Sequence, residues 1–127
     1  MGMNKKYFVI SPHTNTNCFY HCLIYYSHIA KGEYGKICDT EKIVDSAKKL
    51  KKRFNNKKDF SSLTDIEEVS NYYNTTFIVY DNLFRIKHFI KPKCQNYAKG
   101  NRISPMIGAT VKLQFRNDHC LLLVNKV

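Results

Sequence analysis

The period of the apolar residues changes once along this chain, and that change constrains the fold more than any other feature. Between residues 18 and 74, apolar side chains recur every three or four positions, the spacing of one face of an α-helix. Between residues 76 and 124 they alternate or form short runs, which is typical of β-strands. A short strand, YFVI from Tyr7, precedes both regions and is expected to be buried. The pattern predicts an α+β fold, with an N-terminal strand and helices packed on a small, mostly antiparallel sheet.

The same patterns place the individual elements. The first predicted helix runs from Cys18 to Gly32. The second begins at about Thr40 and has apolar positions as far as Phe54. The third begins with a capping box of Thr64 and Glu67 and ends near Asn74. The predicted strands cover Tyr7–Ile10, Thr76–Tyr80, Phe84–Ile90, Val111–Phe115 and His119–Val124. The last two strands form a hairpin, and residues 91–106 are predicted to be a loop.

Length and composition narrow the class of protein. With 127 residues and no Pro/Gly/Ser-rich linker, the chain is expected to form one domain, residues 1–127. No apolar run approaches the roughly 18 residues of a membrane span, and the N-terminus does not resemble a signal peptide. The five cysteines are odd in number and lack the spacing of a disulfide framework or a zinc site. Free thiols in the cytoplasm are expected, with no cofactor, metal or membrane.

The charge is strongly positive. The formal net charge is +11, mostly from lysine, and its densest part is KKLKKRFNNKK, residues 48–58. This run is interpreted as the solvated face of the second helix and the loop that follows it. It has few aromatic residues for base stacking, so nucleic-acid binding is expected to be weak at most. The alternative that stays open is a basic RNA-binding or interaction module in which Cys18 is inert.

Cys18 lies at the predicted N-terminus of the first helix. The first-turn N–H groups are unpaired and the helix dipole is positive there, which predicts a lowered thiol pKa and a place for an oxyanion. A nucleophilic cysteine also needs a base, normally histidine. His119 opens the last strand directly after a polar turn, where a sheet holds the imidazole at its rim. Cys18 and His119 are therefore a candidate catalytic pair, and the alternative is a core thiol with a hairpin-end histidine.

The residues around both positions resemble the motifs of the ovarian-tumour (OTU) family of cysteine proteases. NTNCFYHCL, residues 15–23, is similar to the family's cysteine motif, in which Asn-Cys precedes an apolar and an aromatic residue. NDHCLLLV, residues 117–124, is similar to its histidine motif, a histidine that opens an aliphatic strand. TDIEEVSNYYNTTFIVYD, residues 64–81, is similar to the helix and buried strand between them. The three motifs occur in the family's order.

The resemblance implies an OTU-like fold with a papain-like catalytic arrangement. It implies a thiol protease that acts as a deubiquitinase, of the compact type encoded by RNA viruses, whose partner is the C-terminal tail of ubiquitin or a ubiquitin-like protein. Processing of a viral polyprotein is a further expected activity. The implied nucleophile is Cys18 and the implied base is His119, in a monomer in the host cytoplasm. Substrate contacts are expected at Tyr20, Glu33 and Asp118.

The group that orients the imidazole is left open. The family has Asp or Asn two residues after the histidine, and this chain has Leu121 there. Asn117, Asn15, a backbone carbonyl or no group at all would then orient His119. Asn15 also stands where the family has an aspartate that shapes the oxyanion loop, and the N–H groups of residues 15–18 are expected to bind the oxyanion.

Overall fold

The computed structural model describes residues 6–12, 17–32, 40–58, 61–93, 108–117 and 119–125. In chain order the elements are β1 (Tyr7–Ile10), α1 (Cys18–Ala30), α2 (Thr40–Arg53), α3 (Leu63–Tyr73), β2 (Thr76–Tyr80), β3 (Ile86–Ile90), β4 (Thr110–Arg116) and β5 (His119–Asn125). The α+β class predicted from the change of period is confirmed.

The strands form one sheet in the order β1-β5-β4-β2-β3. The pairs β1–β5, β5–β4 and β2–β3 are antiparallel, whereas β2 and β4 are parallel. The mixed pairing arises because β4 enters the sheet beside β2 rather than beside the preceding strand β3. The prediction of a mostly antiparallel sheet is confirmed, and most of the predicted loop at 91–106 lies outside the described residues.

The main core joins all three helices to one face of the sheet. Residues two positions apart on the central strands point to this face, as strand geometry requires. They are Phe77, Val79, Val111, Leu113, Cys120 and Leu122. The apolar residues that recur every three or four positions along α2 and α3 are buried as well, and these are Ile43, Ala47, Leu50, Phe54, Ile66, Val69 and Tyr73. This core fixes the start of α1 against the sheet, with Cys18 and Cys120 in one cluster.

The two edge strands expose apolar side chains to solvent. β1 was expected to be buried, but the side chains of Phe8 and Val9 are 58% and 38% exposed. On the opposite edge, the side chains of Ile86 and Phe89 in β3 are 60% and 52% exposed. Each edge strand has one hydrogen-bonded neighbour, so apolar residues there lie beyond the cover of the helices. Tyr7 is the buried residue of β1, and its ring stacks on Phe84 at 6.1 Å between centroids.

The N-terminus of α3 corrects the predicted capping box. The capping pair is Ser62 with Asp65, not Thr64 with Glu67. The Ser62 hydroxyl accepts the Asp65 N–H at 3.4 Å, and the Asp65 carboxylate accepts the Ser62 N–H at 2.7 Å. The ammonium of Lys58 lies 2.8 Å from the same carboxylate, which favours the earlier start. The predicted end near Asn74 is confirmed, because Asn74 is in the left-handed region at φ 54°.

Within the described ranges, the helices are either too short or too polar to cross a lipid bilayer.

Candidate active site

Residues 17–20 lead the chain into α1 and are named the nucleophile turn after the candidate nucleophile Cys18. Asn17 has a left-handed backbone at φ 60° and ψ 18°, a region that asparagine adopts more readily than most residues. Its carbonyl oxygen accepts the N–H of His21 at 3.1 Å, the first bond of the helix. Cys18 is therefore the first helical residue, as the sequence predicts.

The Cys18 sulfur contacts the beginning of β5. It accepts the backbone N–H of Cys120 at 3.2 Å, and the Cys18 side chain is 5% exposed. The neighbouring Cys120 thiol and burial raise the pKa of Cys18 well above its usual range, and they outweigh the backbone N–H groups of Cys120 and Phe19. The predicted lowering of this pKa is therefore wrong, and Cys18 is a neutral thiol at neutral pH.

His119 is the first residue of β5 and is half-buried. Its Nε2 lies 3.0 Å from the hydroxyl oxygen of Ser11, which directly follows β1. The contact depends on the pairing of β1 with β5, which sets Ile10 opposite Leu122. The other ring nitrogen, Nδ1, is buried and has no hydrogen-bond partner among the described residues.

Cys18 and His119 line the same pocket. Its volume is about 230 Å³, and it is open to solvent on one side. The lining residues come from α1, from the hairpin of β4 and β5, and from the approach to α3: Cys18, Phe19, Ser61, Phe115, Asn117, His119 and Cys120. The two residues that the sequence predicts as nucleophile and base are thus brought together from positions far apart in the chain.

The sequence did not single out Ser11, which is the group that contacts the imidazole. Strand alternation places Leu121 on the same face as His119, but Leu121 is buried and has no polar side-chain atom. Asn117 lines the pocket at φ 54° without bonding to Nδ1. Asn15 lies outside the described residues. A hydroxyl that meets a histidine only through strand register leaves no local sequence signal.

The predicted substrate-contacting residues have different outcomes. The prediction that Tyr20 contacts substrate is wrong, because its side chain is 1% exposed and packs against Phe19 at 5.2 Å between ring centroids. Its hydroxyl accepts a hydrogen bond from the Asn56 amide at 2.8 Å. Burial at the third position of α1 makes Tyr20 a core residue of the nucleophile turn. Glu33 and Asp118 lie outside the described residues.

The remaining described thiols are packed in the core. Cys22 and Cys120 are buried, with their sulfurs 4.0 Å apart, and the Cys22 thiol donates to the Cys120 carbonyl at 3.4 Å. In the part of the chain that the structure describes, no group of three His, Cys, Asp or Glu side chains is arranged to hold a metal ion. Cys38 and Cys94 lie outside that part.

The basic run at 48–58 is only partly a solvated face. The Lys51 ammonium donates to the Asn17 side-chain oxygen at 2.6 Å. Arg53 donates to the Tyr73 hydroxyl at 3.0 Å. Together with the ion pair of Lys58, three cations of the run make bonds within the protein. The prediction that Lys51 belongs to the solvated face is wrong, because its head group reaches the nucleophile turn.

Comparisons with family models, with curated proteins and with solved structures found no match to this chain.

Proposed function

We propose that the protein is a thiol protease that cleaves peptide or isopeptide bonds, with Cys18 as the nucleophile and His119 as the general base. The observation that carries the proposal is that both side chains line one open pocket, where His119 has a buried Nδ1 without a described partner. Buried polar atoms are normally bonded, and exceptions at a pocket call for an explanation. In this proposal Nδ1 of His119 has no partner at rest because it accepts the proton of Cys18 during the reaction.

Ser11 supports the base role of His119 by selecting its tautomer. The Ser11 hydroxyl lies 3.5 Å from the carbonyl oxygen of Pro12, to which it donates. Its oxygen is then the acceptor for Nε2–H of His119 at 3.0 Å. A proton on Nε2 leaves a lone pair on Nδ1. That lone pair is the acceptor for the Cys18 proton in the proposed mechanism.

The proposed reaction proceeds from a neutral thiol. Because the pKa of Cys18 is raised, His119 removes its proton as the sulfur attacks the carbonyl carbon, and no ion pair forms beforehand. Backbone N–H groups of the nucleophile turn stabilise the oxyanion of the tetrahedral intermediate. His119 then gives the proton to the leaving amine. A water molecule, deprotonated by His119, cleaves the thioester and restores the thiol.

The substrate is proposed from the OTU-like motifs. They favour the C-terminal tail of ubiquitin or a ubiquitin-like protein, with a viral polyprotein as the alternative, and a monomer acting in the host cytoplasm. In this proposal the scissile bond lies in the pocket of about 230 Å³, and the rest of the tail lies outside it. In this proposal α1 and β5 present the cysteine and the histidine in the OTU-like, papain-like arrangement. The basic RNA-binding module has less support, because three cations of the basic run are bonded within the protein.

A ubiquitin carrying a C-terminal propargyl group tests the proposal. We expect a covalent adduct that shifts the protein on a denaturing gel, with the modified residue identified as Cys18 by peptide mass spectrometry. Cys18→Ser should form no adduct, and a ubiquitin-like protein with the same warhead should distinguish the two tails. Modification of Cys22 or Cys120 in place of Cys18 would contradict the assigned nucleophile. If none of these probes forms an adduct with the protein, the deubiquitinase proposal has no support.

Replacing Ser11 with alanine should lower kcat by about tenfold, the effect of one neutral hydrogen bond of roughly 1.4 kcal/mol. The loss arises because Nε2 of His119 no longer has the acceptor that selects the reactive tautomer. The measurement is steady-state hydrolysis of a C-terminal peptide substrate. KM should change little, because Ser11 is not among the residues that line the pocket.

Two variants control for this effect. Ser11→Thr keeps the hydroxyl and should retain most of the activity. Asn117→Ala removes a pocket residue that does not bond to Nδ1 of His119, and it should lower kcat only slightly. A loss with Asn117→Ala that exceeds the loss with Ser11→Ala would identify Asn117 as the orienting group.

A further inference from the structure

We infer that Lys51 is a positioning residue for the nucleophile turn: its ammonium binds the side-chain oxygen of Asn17 and holds residues 17–20 in the conformation that presents Cys18. The catalytic meaning of this role rests on the proposed function, whereas the structural contact does not. The donor and acceptor atoms are 2.6 Å apart, and Lys51 is half-buried. The bond joins α2 to the residue directly before the nucleophile, 34 positions earlier in the chain.

The conformation of Asn17 differs from that of a usual N-cap asparagine. An asparagine that precedes a helix usually has an extended backbone, and its side chain caps a first-turn N–H group. Asn17 instead has φ 60°, and its side chain makes no capping bond to α1. The left-handed backbone costs about 1–2 kcal/mol in most residues and less in asparagine. The bond from Lys51 occupies the oxygen that would cap the helix, and so favours the uncapped turn.

Packing at the end of α2 holds Lys51 next to the nucleophile turn. Leu50 and Phe54 are buried in the main core on either side of Lys51. The helix ends in a left-handed turn at Asn55, φ 54°, where the N–H of Asn56 donates to the Lys51 carbonyl at 3.3 Å. This turn directs the Asn56 side chain back to the Tyr20 hydroxyl at 2.8 Å. The segment 51–56 therefore contacts both ends of the nucleophile turn.

This arrangement has a chemical consequence. Because Asn17 does not cap α1, its side chain leaves the first-turn N–H groups available to an oxyanion in the proposed reaction. Without Lys51, Asn17 can rotate to the extended region and cap the helix. The turn then moves and the N–H groups acquire an internal partner. Helix stability is retained in that event, so catalysis and stability respond differently.

Lys51→Met tests the inference, with Lys52→Met as the matched control. Lys52 is the next residue and is exposed, and its ammonium makes no hydrogen bond or ion pair with the described residues. We expect Lys51→Met to lower kcat by about tenfold with KM nearly unchanged. Its Tm should stay within about 3 °C of the parent. Lys51→Arg should restore most of the activity, and Lys51→Met should cause little further loss in an Asn17→Ala background.

A second measurement does not depend on hydrolysis. Iodoacetamide labelling, read for each cysteine by mass spectrometry, should change about threefold or more at Cys18 in Lys51→Met and stay constant at Cys22 and Cys120. Equal labelling and equal kcat in Lys51→Met and Lys52→Met would overturn the inference. Parallel changes at all three thiols would show general destabilisation and overturn it as well. A change confined to Cys18 in a protein that hydrolyses no tail supports the positioning role and removes the protease proposal.

Discussion

Cys18→Ala should abolish hydrolysis of every substrate that the wild-type protein cleaves, a loss of at least about 10⁴-fold in kcat. The reason is that the proposed thioester forms on the Cys18 sulfur. The fold should persist, because removing one sulfur atom from a buried position usually costs about 1 kcal/mol. The measurement is single-turnover hydrolysis at saturating enzyme, with a circular dichroism spectrum of each variant.

Cys22→Ala is the matched control for this change. Cys22 lies four positions further along α1, is also buried, and contacts Cys120 from the same side of the sheet. The same truncation there should leave kcat within about threefold of the wild type, since surface and core changes that spare the reacting atoms act mainly on stability. Activity retained in Cys18→Ala, or lost equally in Cys22→Ala, would show that the nucleophile has been misassigned.

His119→Ala should lower kcat by at least about 10²-fold, the usual effect of losing a general base. The loss is expected to be large because Cys18 rests as a neutral thiol, so no thiolate is available without a proton acceptor. Steady-state kinetics measures the effect. Free imidazole should restore part of the activity, since the vacated part of the pocket admits a small base.

His88→Ala is the control for His119. His88 lies in the middle of β3, two strands from β4, and is not among the pocket residues. Its removal should leave kcat unchanged. A larger loss in His88→Ala than in His119→Ala would contradict the assigned base, and failure of imidazole to rescue at any concentration would indicate that His119 acts only through packing.

The candidate pair could be predicted from the sequence because each member carries a local signal. Cys18 begins an apolar helical pattern after polar residues, and His119 begins an aliphatic strand after a turn. These positions place both side chains at the ends of elements, where side chains remain accessible to a pocket. The fold class could be predicted for a related reason, since the period of the apolar residues depends on the local geometry of helices and strands.

The partners of the pair could not be predicted in the same way. Ser11 meets His119 through strand register, and Lys51 meets Asn17 through the packing of two helices. The direction of the Cys18 pKa shift also depends on a tertiary contact, because the Cys120 thiol is its largest cause. The sequence pattern predicts the helix, and therefore its dipole at Cys18. It does not predict that folding places the Cys120 thiol beside Cys18.

The pairing of β1 with β5 determines when during synthesis the site can exist. Ser11 and His119 are 108 positions apart and become neighbours only when these two strands meet. On the ribosome, Cys18 is therefore synthesised well before His119, the residue proposed to deprotonate it. Closing so long a loop is also entropically costly and slow compared with forming the helices. A chain that ends before residue 119 lacks both the proposed base and the Cys120 N–H that contacts the Cys18 sulfur, so it should hydrolyse no substrate even if the proposed function is correct.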